Sequence, residues 1–186
     1  MENAFRPLAV LAGEDLREAL RGEPPLVEGL LDPEAQLQPN GIELTLKSVA
    51  ALVGPGSLGF DNRDRSLASG RPKAFDEEGW VTLAPGAYRI AFTELVHIPN
   101  DVFAIARPRS SLQRSGATVE TALWDSGFQG ASEALLVVHN RHGFRLRRGA
   151  RLIQLIFFKM LEAVEEPYAG RYRSATQAEL FQGGLT

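Results

Sequence analysis

Cysteine is absent from the 186 residues. That excludes disulfides, zinc-thiolate centres and thiol nucleophiles, and it fits a reducing compartment. A surplus of positive charge is missing too, since 20 Lys and Arg against 23 Asp and Glu leave a formal net charge of -3. Proteins that bind nucleic acid in general need a basic field to displace counterions from the phosphate backbone, so no such partner is expected. A small anionic ligand needs only a local cluster. Long apolar runs are also wanting: the first residues carry Glu2 and an apolar stretch over residues 8–12, too brief for a secretory core or a membrane span. A cytoplasmic chain without membrane association is the expectation.

What is present, 44% apolar and 23% charged residues, is ordinary for one globular domain. That domain is expected over residues 1–186, as a helix and connection to residue 40, a β core over 41–160 and a tail over 161–186. Residues 13–22, GEDLREALRG, set Leu16, Ala19 and Leu20 on one face with acids early and arginines late. This predicts a short helix. Pro24, Pro25, Pro33 and Pro39 then break any continuation, so residues 23–40 read as an irregular connection. From Ile42 the period changes to two, predicting a strand over 42–47 with one buried face. Similar runs follow at 80–83, 88–92, 102–106, 134–138, 144–146 and 152–158, separated by turn residues such as Pro85-Gly86 and Arg148-Gly149. Many short strands so punctuated predict an all-β sandwich or barrel-like fold rather than a βαβ sheet. Residues 54–79 read as a surface excursion, and there is no internal repeat.

The densest polar constellation runs from Arg107 to Gly116, with Arg107, Arg109 and Arg114 beside Ser110, Ser111 and Ser115. Guanidinium forks and hydroxyls complement phosphate oxygens. From these residues alone, a polyphosphate cradle and a solvated basic loop are both open readings. Downstream, Asp125-Ser126-Gly127 is either a turn capping its own backbone or an acid able to deprotonate a water beside phosphorus. Gln154 stands in an apolar strand, where a buried amide must find a partner in a ligand or a neighbouring backbone. His97, His139 and His142 show no metal-ligand spacing.

Taken in order, these pieces resemble the motifs of the dUTPase and dCTP deaminase superfamily. Residues 38–46, QPNGIELTL, resemble the first motif in its deaminase form, with Glu43 where the family usually has Asp. Arg109-Ser110-Ser111-Leu112 with Arg114 is similar to the second motif, residues 125–130 to the third and 151–157 to the fourth. Residues 168–172, YAGRY, with Gln177, resemble the closing segment of the deaminase branch and lack the glycine-rich arm of classical dUTPases. The resemblance implies a dUTPase-like distorted jelly roll, or β-clip, with a short N-terminal helix, assembled as a homotrimer. It also implies a deoxypyrimidine triphosphate as substrate.

The family pattern divides its two activities at one position. Deaminases carry a proton-shuttling glutamate five residues after the motif-three glycine, which falls here on Leu135. Leucine transfers no proton. Glu133 lies on the same strand face two residues away and would need a register slip or bulge to substitute. The resemblance therefore implies a dUTP diphosphatase, releasing dUMP and pyrophosphate, with dCTP deamination or non-catalytic nucleotide binding as alternatives. By the same resemblance Asp125 is the candidate base, assisted by Arg114 and Ser111. Arg109, Ser110, Ser111, Gln154 and Arg171 are candidates to hold phosphates, with Mg2+ arriving on the triphosphate rather than on protein ligands. Backbone groups of a hairpin over residues 119–124, including Thr121, Ala122, Leu123 and Trp124, are expected to read the base. Tyr168, Tyr172 and Gln177 are expected to line or close the site, and Phe181 to pack down.

Overall fold

A computed structural model describes residues 9–170. The chain begins with β1 (Ala9–Val10), α1 (Glu14–Arg21), β2 (Val27–Glu28), α2 (Pro33–Gln36) and β3 (Leu37–Gln38). The expected helix forms: Glu14 and Asp15 sit in its first turn, Arg21 in its last, and Leu16 is fully buried against the core. The four prolines prevent a long element but not short ones. Pro33 opens α2 behind an Asp32 cap whose side chain accepts from the Ala35 N–H, and β2 and β3 occupy what the sequence reading leaves irregular.

The sheet proper starts with β4 (Gly41–Val53) and continues through β5 (Ser69–Pro72), β6 (Trp80–Leu83), β7 (Gly86–His97) and β8 (Val102–Pro108). After the short helix α3 (Ser110–Arg114) come β9 (Ala117–Glu120), β10 (Gln129–Val138), β11 (Phe144–Arg147) and β12 (Arg151–Lys159). Ten strands form one curled sheet with the path β1-β12-β4-β7-β10-β9, while β6 and β11 pair separately. The molecule is mostly β, as expected.

β4 organises this arrangement. Its first half pairs with β12, Ile42 opposite Leu155 and Leu44 opposite Ile153, and its second half pairs with β7 from Leu46 to Ala51. Ile42, Leu44 and Leu46 face the core at zero exposure, and then a register shift between Leu46 and Ser48 hands the inward position to Val49. One extra residue reverses strand parity, so the buried face continues as the strand changes partners. Gly41 opens β4 where a Cβ would lie 2.3 Å from the Leu155 carbonyl oxygen, so only glycine fits.

One contiguous cluster that includes Phe92, Phe157, Leu136, Ile90 and Leu152 forms the core. Burying each such side chain is worth about 1.5–3 kcal/mol. The β8–β12 pair also presents an outer apolar strip: Phe103 stacks on Phe158 at 5.0 Å, Ile105 lies opposite Ile156, and Ile105 and Val10 are exposed. Residues 54–68 leave the sheet with Leu58 and Phe60 in solvent before β5 returns to β4. Among the described residues no helix is long and apolar enough to cross a membrane.

Candidate functional site

β8 delivers the second-motif residues. Its pairing with β12 runs to Pro108 opposite Ile153, and the Arg109 N–H donates to the Leu152 carbonyl at 2.9 Å, fixing the entry to α3. Leu112, 4% exposed, pins this five-residue helix to the core. Ser110, Ser111 and Arg114 consequently stand exposed on its outer side.

Arg109 turns toward β4. Its Nε lies 2.7 Å from one Glu43 carboxylate oxygen, and Arg151 Nη1 lies 3.0 Å from the other, both close enough for an ion pair though neither is aligned as a hydrogen bond. Arg109 also donates to the Arg151 carbonyl, and Arg151 to the Ala35 carbonyl. Glu43 is 5% exposed, whereas both guanidiniums keep about a third of their side chains in solvent, 32% and 34%. One carboxylate thus gathers two arginines whose outer faces remain open. Glu43 enters the sequence reading only as a departure from the family's aspartate, and Arg151 only as the head of a motif. The readable signal is an acid alternating with core residues in a strand, which demands a buried partner.

Gln154 corrects an expectation. It is half-buried on the outer face of β12, opposite Glu43 and Arg107, beside the tight approach at Gly41, and not enclosed in the core. Strand parity decides this, since Leu155 and Phe157 take the inward positions.

Asp125 occupies a clamped turn. The Phe128 N–H donates to the Asp125 carbonyl at 3.0 Å, Gly127 adopts φ +84°, and the Gly127 N–H donates to the Ile98 carbonyl. Ser126 Oγ donates to the Val102 carbonyl at 2.7 Å. A Cβ on Gly127 would meet Pro167 at 2.5 Å, so the glycine is needed for both its conformation and the space. The Asp125 side chain is exposed and forms no hydrogen bond or ion pair with any described residue, so backbone and glycine, not the carboxylate, make the turn. Tyr168 joins this group: its N–H donates to the Ser126 carbonyl at 2.8 Å and its ring packs on Phe128 at 6.1 Å.

Of the expected hairpin over 119–124, residues 119–120 end β9, opposite Leu136 and Leu135 of β10, while 121–123 form a loop leading to Trp124. Trp124 is buried, bridges Ala104 by backbone in both directions, and donates from its indole to Ser132 Oγ at 2.8 Å. Thr121, Ala122 and Leu123 belong to no strand, and Ala122 and Leu123 are exposed. This loop is anchored by Trp124 on one side and β9 on the other. Within one chain the structure therefore brings together two groups, Arg109 with Glu43, Arg151 and Gln154, and Asp125 with Trp124 and Tyr168. Among the described residues no hydrogen bond or ion pair joins one group to the other. Arg171, Tyr172, Gln177 and Phe181 lie outside the described residues.

At the discriminating position, Leu135 is half-buried between Arg89 on β7 and Glu120 on β9. A register shift does fall between Ala131 and Glu133, yet the Glu133 carboxylate is engaged with Arg89, 3.5 Å from Nε. Burial pushes the Glu133 carboxyl up to about 7, against the opposing pull of the Arg89 guanidinium. Between the ordinary carboxylate range and pH 7 the folded chain then holds a proton that the unfolded chain has released, so stability falls as pH rises through that window. Glu133→Gln, neutral throughout, should match the parent at pH 4 and exceed it above pH 7 by roughly 1–2 kcal/mol, discounted for partial exposure. Urea unfolding at pH 4 and pH 8 measures this, and equal differences at both would remove the cause given.

Comparison with known proteins gives a consistent picture. The family model described as dCTP deaminase-like matches residues 10–160. A probable deoxyuridine 5'-triphosphate nucleotidohydrolase of Methanococcoides burtonii is 47% identical over 167 residues, covering 90% of this chain and 98% of that one. Its counterpart from Archaeoglobus fulgidus is 45% identical over 166 residues, covering 89% and 96%. Among solved structures, the 2'-deoxycytidine 5'-triphosphate deaminase of Agrobacterium tumefaciens is similar at TM-score 0.59 and 26% identity, covering 83% of this chain. The match spans about half of that protein, 49% of its length.

Proposed function

Since the chain belongs to the dCTP deaminase-like family, we propose that it hydrolyses dUTP to dUMP and pyrophosphate. One observation carries the choice between the family's two activities: position 135 holds leucine, and the neighbouring carboxylate at Glu133 lies beside Arg89, 3.5 Å from its Nε. Ring deamination needs a group that gives and takes protons at the amino-bearing carbon. Phosphoanhydride hydrolysis does not.

In this reading Asp125 takes a proton from water as the water oxygen bonds to phosphorus, the α–β anhydride bond breaks, and pyrophosphate leaves. The clamped turn supports the role because it holds the carboxylate in solvent without engaging it. Arg109, Arg151, Ser110, Ser111 and Gln154 hold the phosphate oxygens, with Arg114 beside the reacting region. Magnesium enters as part of the substrate, offsetting the charge of the triphosphate. The backbone of residues 121–123 reads the pyrimidine edge, and Tyr168 lines that end of the site.

The two residue groups that stay apart in one chain come together across a homotrimer, for which the strip of Phe103, Ile105, Ile156 and Phe158 offers an apolar contact surface. Light scattering is expected to give about three times the 20.3 kDa chain mass. Separate incubation with magnesium–dUTP and magnesium–dCTP should yield pyrophosphate from the first and no ammonia from the second. Ammonia from dCTP would overturn the assignment.

A further inference from the structure

Glu43 gathers the two arginines, and its strand is held from behind by a buried polar chain built on Gln36 and Glu94, two residues outside the four motifs. Gln36, 1% exposed, donates from Nε2 to the Glu43 carbonyl at 2.8 Å and to Glu94 Oε1 at 2.7 Å, while its own Oε1 accepts from the Asp32 N–H at 3.0 Å. Glu94, fully buried, also accepts from the Thr45 hydroxyl at 2.7 Å and from the Thr45 N–H at 2.9 Å. Gln36 and Thr45, which donate to Glu94, are both neutral.

A buried carboxyl group is an expensive way to fill a core, and well-packed aliphatic side chains of the same volume generally stabilise at least as well. What this network supplies is geometry. It ties α2, β4 and β7 at one point and grips residues 43 and 45 on either side of Leu44, just where Glu43 sends its carboxylate to Arg109 and Arg151. A satisfied network in a low-dielectric interior resists displacement.

We propose that Gln36 and Glu94 are positioning residues that fix the Glu43 segment so that Arg109 and Arg151 present their open faces to the triphosphate. This rests on the reading of the chain as a dUTP diphosphatase. Gln36→Met in the full-length protein keeps the side-chain length and removes both donations. The expected result is a fall in kcat/KM for magnesium–dUTP of about 10- to 100-fold, the size that small misplacements produce. In an Arg109→Ala background the same change should add no more than about twofold, because much of what it positions is gone. A full effect in both backgrounds, or none in either, would overturn the proposal.

A second readout needs no substrate. The Arg109 Nε nitrogen lies 2.7 Å from Glu43, so its NMR signal should be displaced from that of a free arginine in the parent and lose that displacement in Gln36→Met while the circular dichroism spectrum is unchanged. Retained displacement would overturn the proposal just as firmly. Should the parent release no pyrophosphate from dUTP, the functional reading alone fails, and this signal still decides whether the network positions Arg109. If Gln36→Met does not fold, Thr45→Val, which removes a single hydroxyl donation, is put to the same two measurements, with smaller losses expected.

Discussion

Asp125→Asn leaves the fold intact and cuts pyrophosphate release from dUTP by about 10³-fold, within the range for loss of a general base. The structure separates the two consequences. Gly127, its backbone hydrogen bond to Ile98 and the Ser126 hydroxyl donating to the Val102 carbonyl make the turn, and the carboxylate forms no hydrogen bond or ion pair with any described residue, so stability should change by no more than about 0.5 kcal/mol. Asparagine matches aspartate in shape yet accepts no proton from water. Affinity for dUTP should stay within a few-fold of the parent or rise slightly, because a negative charge facing a triphosphate has been removed. Single-turnover pyrophosphate assays beside calorimetric titration with dUTP measure both quantities. Undiminished turnover with the assembly intact would take the role of base away from Asp125.

Glu43→Gln is expected to lower stability by about 2–3 kcal/mol. The change takes the negative charge from between two guanidiniums, held at 2.7 Å and 3.0 Å, and leaves them facing each other across a neutral amide. Breaking a buried ion pair from one side costs about 3–5 kcal/mol. Here both arginines are one-third exposed, so water recovers part of the loss. A midpoint fall of about 5–10 °C follows for a chain of this size. Glu43→Asp tests the geometry separately, since it keeps the charge but falls one methylene short of spanning Arg109 and Arg151 together, so an intermediate loss is expected. Thermal unfolding of the three proteins in one buffer decides it, and a Glu43→Gln protein as stable as the parent would dismiss the ion pairs as a structural element.

Much of this architecture could be read from the chain. Alternation over residues 42–47, the acid-to-base gradient from Glu14 to Arg21 and the turn residues between strands each report a local preference, and each corresponds to an element. β5 escaped because SGRP, inside the stretch 54–79 read as a surface excursion, has no apolar residue except its proline, and β1 to β3 because two-residue strands exist only through their partners. The site was legible in its order of motifs but not in its internal wiring. Sequence marks Gln154 as a polar residue in an apolar run, and only strand parity together with the pairing to Glu43 turns it outward. Gln36 and Glu94 are 58 positions apart, so no local pattern could announce the bond between them. Beyond β9 the hairpin expected before Asp125 opens into a loop because Trp124 spends its backbone on Ala104 and its indole on Ser132.

The divided allegiance of β4 bears on how the molecule comes apart. Residues 42–45 belong to the half sheet built on β12, and residues 46–51 to the half built on β7. No interruption separates the two, only a one-residue change of phase. Neither half can melt while the other persists, because each would have to surrender a stretch of the same continuous ribbon. The molecule should consequently unzip as a single cooperative unit, with amide hydrogens on both sides of Lys47 exchanging at one common, slow rate.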